Sequence, residues 1–131
     1  MHRRTWIAAA LAVAVFSVAT ACGSNSSSSS SGASGGGTID VSGQSSTSMS
    51  AEDFSFTPSA LGGTADQELT ISLTNDGTTA HNFSIDDQDI DVTLQPGDQQ
   101  DIDVTLPSSG SVQFYCSFHQ ASGMVGTLEV A

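Results

Sequence analysis

The chain has 131 residues, two Lys or Arg against fourteen Asp or Glu, and a formal net charge of −12. That balance excludes nucleic acid and anionic lipid headgroups as charge-recognised partners, since both repel an acidic surface. The length allows one small domain with a single core and no second one.

In chain order, a short cationic start comes first, Met1-His2-Arg3-Arg4. An apolar run from Trp6 to Phe16 and small residues from Ser17 to Ala21 follow, ending at Cys22. This order reads as a signal peptide over residues 1–21. Its apolar stretch is shorter than the roughly 20 residues of a membrane-spanning helix. Val18-Ala19-Thr20-Ala21-Cys22 resembles a bacterial lipobox, with Ala19 where a large aliphatic residue is usual. Ala19 and Ala21 also suit ordinary signal peptidase. Residues 23–37 are almost all Ser and Gly, a flexible tether. A tether has a purpose between a lipid anchor and a domain, so Cys22 is read as lipidated and residues 22–37 as its spacer. Arg3-Arg4-Thr5-Trp6-Ile7 resembles a twin-arginine export signal. The expected place of the protein is outside the cytoplasm, held to the membrane by lipid.

Both arginines lie in the signal, so residues 38–131 carry 0 − 14 = −14 from these side chains. Such acidity keeps an exported protein soluble in salty surroundings; it also suits a partner with a cationic docking surface. With Cys22 lipidated, Cys116 is a lone thiol outside the cell, exposed to oxidation and in need of a reason.

Residues 38–131 show alternation and no sustained helical period. Leu69, Ile71 and Leu73 alternate with polar residues, as do Ile90, Val92 and Leu94, and Ile102, Val104 and Leu106. Val112, Phe114 and Cys116 share one face, and Met124, Leu128 and Val130 another. Phe54, Phe56 and Leu61 read as core from an early strand. Gly62-Gly63, Asn75-Asp76-Gly77, Pro96-Gly97-Asp98 and Pro107 to Gly110 read as turns between strands. Short half-buried strands at this spacing predict an all-β sandwich or barrel.

The residues that carry chemistry are few. Beyond the signal there are two histidines, His81 and His119, and two methionines, Met49 and Met124. Cys116, His119 and Met124 stand in a C-x2-H-x4-M spacing, with His81 thirty-five residues before the cysteine. By strand parity His81 shares a face with Phe83 and Ile85, so His81, Cys116 and Met124 point inward at strand ends. His119 sits on the loop between the last two strands. Taken singly, an inward His, a packed Met and a buried Cys are ordinary core residues. Together they form the donor set of an electron-transfer copper site, in which two imidazoles and a thiolate are joined by a weak thioether. Zinc would use His and Cys but gives the methionine no role and has no second oxidation state.

The stretch Phe114-Tyr115-Cys116-Ser117-Phe118-His119-Gln120-Ala121-Ser122-Gly123-Met124-Val125-Gly126 resembles the copper loop of plastocyanins. Ala80-His81-Asn82-Phe83 resembles their upstream histidine motif. This likeness to plastocyanin- and azurin-type cupredoxins implies a Greek-key β-sandwich of about eight strands with copper near one end. It also implies outer-shell roles for Asn82 and Ser117, the Asn tying one ligand loop to the residue after the cysteine. Plastocyanins usually have proline where this chain has Phe118, and Phe118 keeps a backbone N–H. That N–H is expected to donate to the Cys116 sulfur.

The function expected from this reading is one-electron transfer by a monomer outside the cytoplasm, through a single copper ion, to and from redox proteins. The alternative is copper held for delivery or sequestration by the same ligands. It is less favoured because no additional Met or His clusters are present. An enzyme is not expected. A multicopper oxidase in particular needs many more histidines than two.

Overall fold

The computed structural model describes residues 37–131. The signal peptide, Cys22 and the tether up to residue 36 lie outside the described residues. Ten strands occur in chain order: β1 (Thr38–Asp40), β2 (Ser46–Glu52), β3 (Ser55–Thr57), β4 (Ala60–Gly63), β5 (Glu68–Asn75), β6 (His81–Ile85), β7 (Ile90–Leu94), β8 (Gln99–Thr105), β9 (Ser111–Tyr115) and β10 (Val125–Val130). The expected eight or so become ten because two strands, β1 and β3, are only three residues long. Among the described residues the helical content is two 3-10 turns, Asp86–Gln88 and Gln120–Ser122. Among the described residues no helix is long and apolar enough to cross a membrane.

The strands form a β-sandwich. One sheet has the order β1-β4-β10-β9-β6-β7 and the other β3-β2-β5-β8. Alternation decides what each strand buries. On β5, Leu69, Ile71 and Leu73 are buried while Thr70, Ser72 and Thr74 are half-exposed. Ile102 and Val104 do the same from β8, which pairs antiparallel with β5. The other sheet supplies Leu61, Phe83, Ile85, Phe114 and Leu128, none of them measurably exposed. Burying side chains of this size contributes about 1.5–3 kcal/mol each. At the centre, Phe83 stacks on Phe114 with centroids 5.0 Å apart, and Phe56 meets both edge-on. β6 is buried on both faces, unlike its neighbours, so Asn82 and Ser84 lie inside the protein and must be hydrogen-bonded there.

Two local expectations are corrected. Phe54 is not core: its side chain is 44 % exposed. The chain turns between β2 and β3 at Asp53 and Phe54, so the parity that buries Phe56 does not extend back across the turn. Gly62-Gly63 is not a turn but part of β4, paired in parallel with β1 and β10. A Cβ on Gly63 would come within 2.6 Å of both Gln67 and Leu106 side chains, so close packing explains the glycine there.

Candidate metal centre

The site is assembled from the ends of β6, β9 and β10. His81 is the first residue of β6 and is 1 % exposed. Cys116 immediately follows β9 and is fully buried. From there the chain makes a tight excursion before returning as β10. His119 N–H donates to the Cys116 carbonyl at 3.1 Å, and Met124 N–H to the His119 carbonyl at 3.2 Å. Cys116 N–H in turn donates to the Met124 carbonyl at 3.0 Å. These bonds explain the C-x2-H-x4-M spacing: a reverse turn after β9 and a 3-10 turn before β10 bring the three residues onto one small loop. Met124 is fully buried beside Cys116.

His81 comes from the neighbouring strand, and the donor atoms converge. His81 Nδ1 and His119 Nδ1 are 3.2 Å apart, and Cys116 Sγ lies 4.0 Å and 3.5 Å from them. A metal bound at ~2.0 Å to nitrogen and ~2.3 Å to sulfur, with donors spread evenly in a plane, separates them by roughly 3.5–3.7 Å. The three atoms are therefore spaced to share one ion. The Nε2 of His81 is already engaged by a carboxylate, which turns Nδ1 toward the other two donors. Two imidazole nitrogens and a buried thiol facing one another are an arrangement that a soft cation satisfies. His81, Cys116 and His119 meet as expected, and their chemistry fits one copper ion.

Asn82 joins the ligand strands more tightly than the sequence suggests. Its Oδ1 accepts the Ser117 N–H at 2.6 Å, the tie implied by the plastocyanin likeness. Its Nδ2 donates to Ser84 Oγ and to Asp91. Its backbone N–H points at the Cys116 sulfur, 3.4 Å away. A backbone donor to the sulfur comes from Asn82, and the His119 N–H closes the loop on the Cys116 carbonyl. Phe118 is 55 % exposed and meets the His119 ring edge-on, with centroids 6.4 Å apart.

The turn between β2 and β3 contributes residues the sequence reading missed. Asp53 Oδ1 lies 2.8 Å from His81 Nε2. Thr78 holds the same carboxylate through its N–H, at 2.9 and 3.1 Å, and through its hydroxyl. These Thr78 bonds, ahead of the His81 bond, keep Asp53 well below the usual carboxylate range. Gly77 makes the approach possible, because a Cβ there would collide with Asp53 Oδ1 and sit 2.7 Å from His81 Nε2. Buried Asn75 shapes the same turn by accepting the Gly77 N–H and donating to the Thr79 and Leu94 carbonyls. Phe54, next to Asp53, lies against the His119 ring with centroids 4.4 Å apart. Its place between two strand signals, beside an acidic residue, was the one available hint.

Known proteins share this arrangement of strands. The sequence profile described as a cupredoxin-like domain matches residues 8–130. Auracyanin from Roseiflexus castenholzii, in a dithionite-reduced crystal structure, superposes with a TM-score of 0.57 at 20% identity over 67% of this chain and 98% of its own. The metal-binding domain of the Streptococcus pneumoniae D39 Cu(I)-exporting P-type ATPase CopA, solved with Cu(I), gives 0.60 at 14% identity over 73% and 99%. A mutant fern plastocyanin gives 0.51 at 22% over 65% and 100%. No curated protein matches the chain by sequence. With a profile match across nearly the whole chain and a sandwich that puts His81, Cys116 and His119 at one point, the chain belongs to the cupredoxin-like domain family.

Proposed function

We propose that this protein is a one-electron carrier that works outside the cytoplasm, with one type 1 copper held by His81, Cys116, His119 and, more weakly, Met124. The observation that carries the proposal is the convergence of two Nδ1 atoms and a buried cysteine sulfur within 3.2–4.0 Å. When bound, copper supplies a Cu(II)/Cu(I) couple. The protein supplies a rigid frame: His81 and Cys116 are buried at the ends of neighbouring strands and Asn82 ties the two segments together, so little has to move between oxidation states. His119 is the partly exposed member of the set and the natural port for an electron. The acidic surface suits a redox partner with a cationic face.

The deciding experiment adds one equivalent of Cu(II) to the full chain and records its visible spectrum and reduction potential. Intense blue absorption with a reversible potential supports electron transfer. Copper bound only as Cu(I), without a reversible couple, supports the alternative of delivery or sequestration, which uses the same ligands. Met124→Leu is expected to keep the blue colour and raise the potential, because loss of a weak thioether donor would favour Cu(I). A lower or unchanged potential would remove Met124 from the ligand set.

The reading of residues 1–21 as a signal, Cys22 as the lipid-bearing residue, 22–37 as a tether and 38–131 as the copper domain belongs to the same proposal. Cys22→Ala is expected to release the protein from membranes or block its processing, read by fractionation and intact mass. Unchanged fractionation, with a mass that differs only by the Cys-to-Ala substitution, would rule out the anchor.

A further inference from the structure

We infer that Asp53 is a positioning residue for the copper site: it accepts a hydrogen bond from the Nε2–H of His81, aims Nδ1 at Cys116 and His119, and favours Cu(II) by enriching the imidazole. The inference rests on the copper reading above, but it stands on its own geometry. His81 is buried and has two ring nitrogens to satisfy. One faces the other donors; the other meets Asp53 Oδ1 at 2.8 Å.

The carboxylate is not there by accident of a flexible side chain. It comes from the turn joining two strands of the opposite sheet, β2 and β3. Thr78, three residues before His81, grips it through backbone and hydroxyl donors. Gly77 leaves the space that any other residue would occupy. Asn75 holds the turn carrying both. Four residues from two segments thus converge on one imidazole N–H.

The chemistry follows from the proton's location. A neutral imidazole that donates Nε2–H to a carboxylate has a bare Nδ1 lone pair and a fixed ring plane. The nearby negative charge makes that lone pair a stronger donor. A stronger donor stabilises the more highly charged Cu(II) over Cu(I), so Asp53 lowers the reduction potential.

The test compares the full-length wild-type chain with Asp53→Asn and Asp53→Ala. The first readout needs no metal: the tautomer of His81 in the apo protein, from long-range proton–nitrogen NMR at pH 7. Wild type is expected to carry the proton on Nε2. Asp53→Asn is expected to keep it there, because an amide oxygen still accepts, while Asp53→Ala loses the preference. The second readout is the copper potential, expected to rise in both variants with the blue absorption retained. Loss of such an outer partner typically costs 10–100-fold in metal affinity. If a tenfold part falls on Cu(II) alone, the potential rises by about 59 mV. An Nδ1–H tautomer in the wild type, or an unchanged potential in Asp53→Asn, overturns the inference. A merely structural Asp53 would lower thermal stability and move neither readout. Failure of the wild type to take up copper would instead sink the copper reading, and the tautomer would still decide the role of Asp53.

Discussion

Cys116→Ser is expected to abolish the intense blue absorption of the Cu(II)-treated chain and to leave the fold intact. A serine hydroxyl is neither soft nor ionised near neutral pH, so it cannot replace the thiolate whose charge transfer gives the colour. The substitution is nearly isosteric. The groups around the sulfur, the Asn82 N–H at 3.4 Å and His119 Nδ1 at 3.5 Å, can bond a hydroxyl instead. The fold should survive for that reason. Visible absorption, bound copper and far-ultraviolet circular dichroism together separate loss of the ligand from loss of the domain. A variant that stays blue would refute the assignment of Cys116.

Phe114→Ala is expected to cause the largest loss of stability of any single truncation near the site. Phe114 is fully buried, stacks on Phe83 and meets Phe56 edge-on. On its other side it presses against Gly126 of β10, where an added Cβ would collide with the ring. Truncating a core phenylalanine costs about 3–5 kcal/mol, through lost burial and the cavity left behind. Against a total stability of about 5–15 kcal/mol, that is a shift in Tm on the order of tens of degrees. Phe118→Ala is the internal control, since that ring is 55 % exposed and its removal should stay within about 0.5 kcal/mol. Thermal unfolding of the metal-free full chain measures both. Equal losses in the two variants would mean that the triple ring cluster does not hold the sandwich together.

Most strands were legible because alternation is a local property. Leu69, Ile71 and Leu73 are buried on β5, and Val112 is half-buried on the face it shares with Phe114 and Cys116, as period two demands. Alternation misled where the chain changed direction. Phe54 has the parity of Phe56 but belongs to a turn, and Gly62-Gly63 has turn composition but lies in a paired strand. In both cases the outcome depended on what packs against the residue, which a local pattern does not contain.

The sequence by itself determined the candidate donor set. Cys116, His119 and Met124 lie on one short loop between adjacent strands, so their spacing is a local signal, and the scarcity of His and Cys marked His81 as the remaining donor. Asn82 and Ser117 were legible for the same reason, each being next to a ligand. Only the tertiary structure decided what surrounds those donors. It brought the Asn82 N–H to the sulfur, because β6 runs beside Cys116. It also brought Asp53 to His81 and Phe54 to His119 from the opposite sheet, twenty-eight and sixty-five positions away in sequence. The candidate ligands follow from residue chemistry and near-neighbour spacing. The outer contacts depend on how two separately patterned sheets meet, and nothing in either pattern specifies which turns will touch.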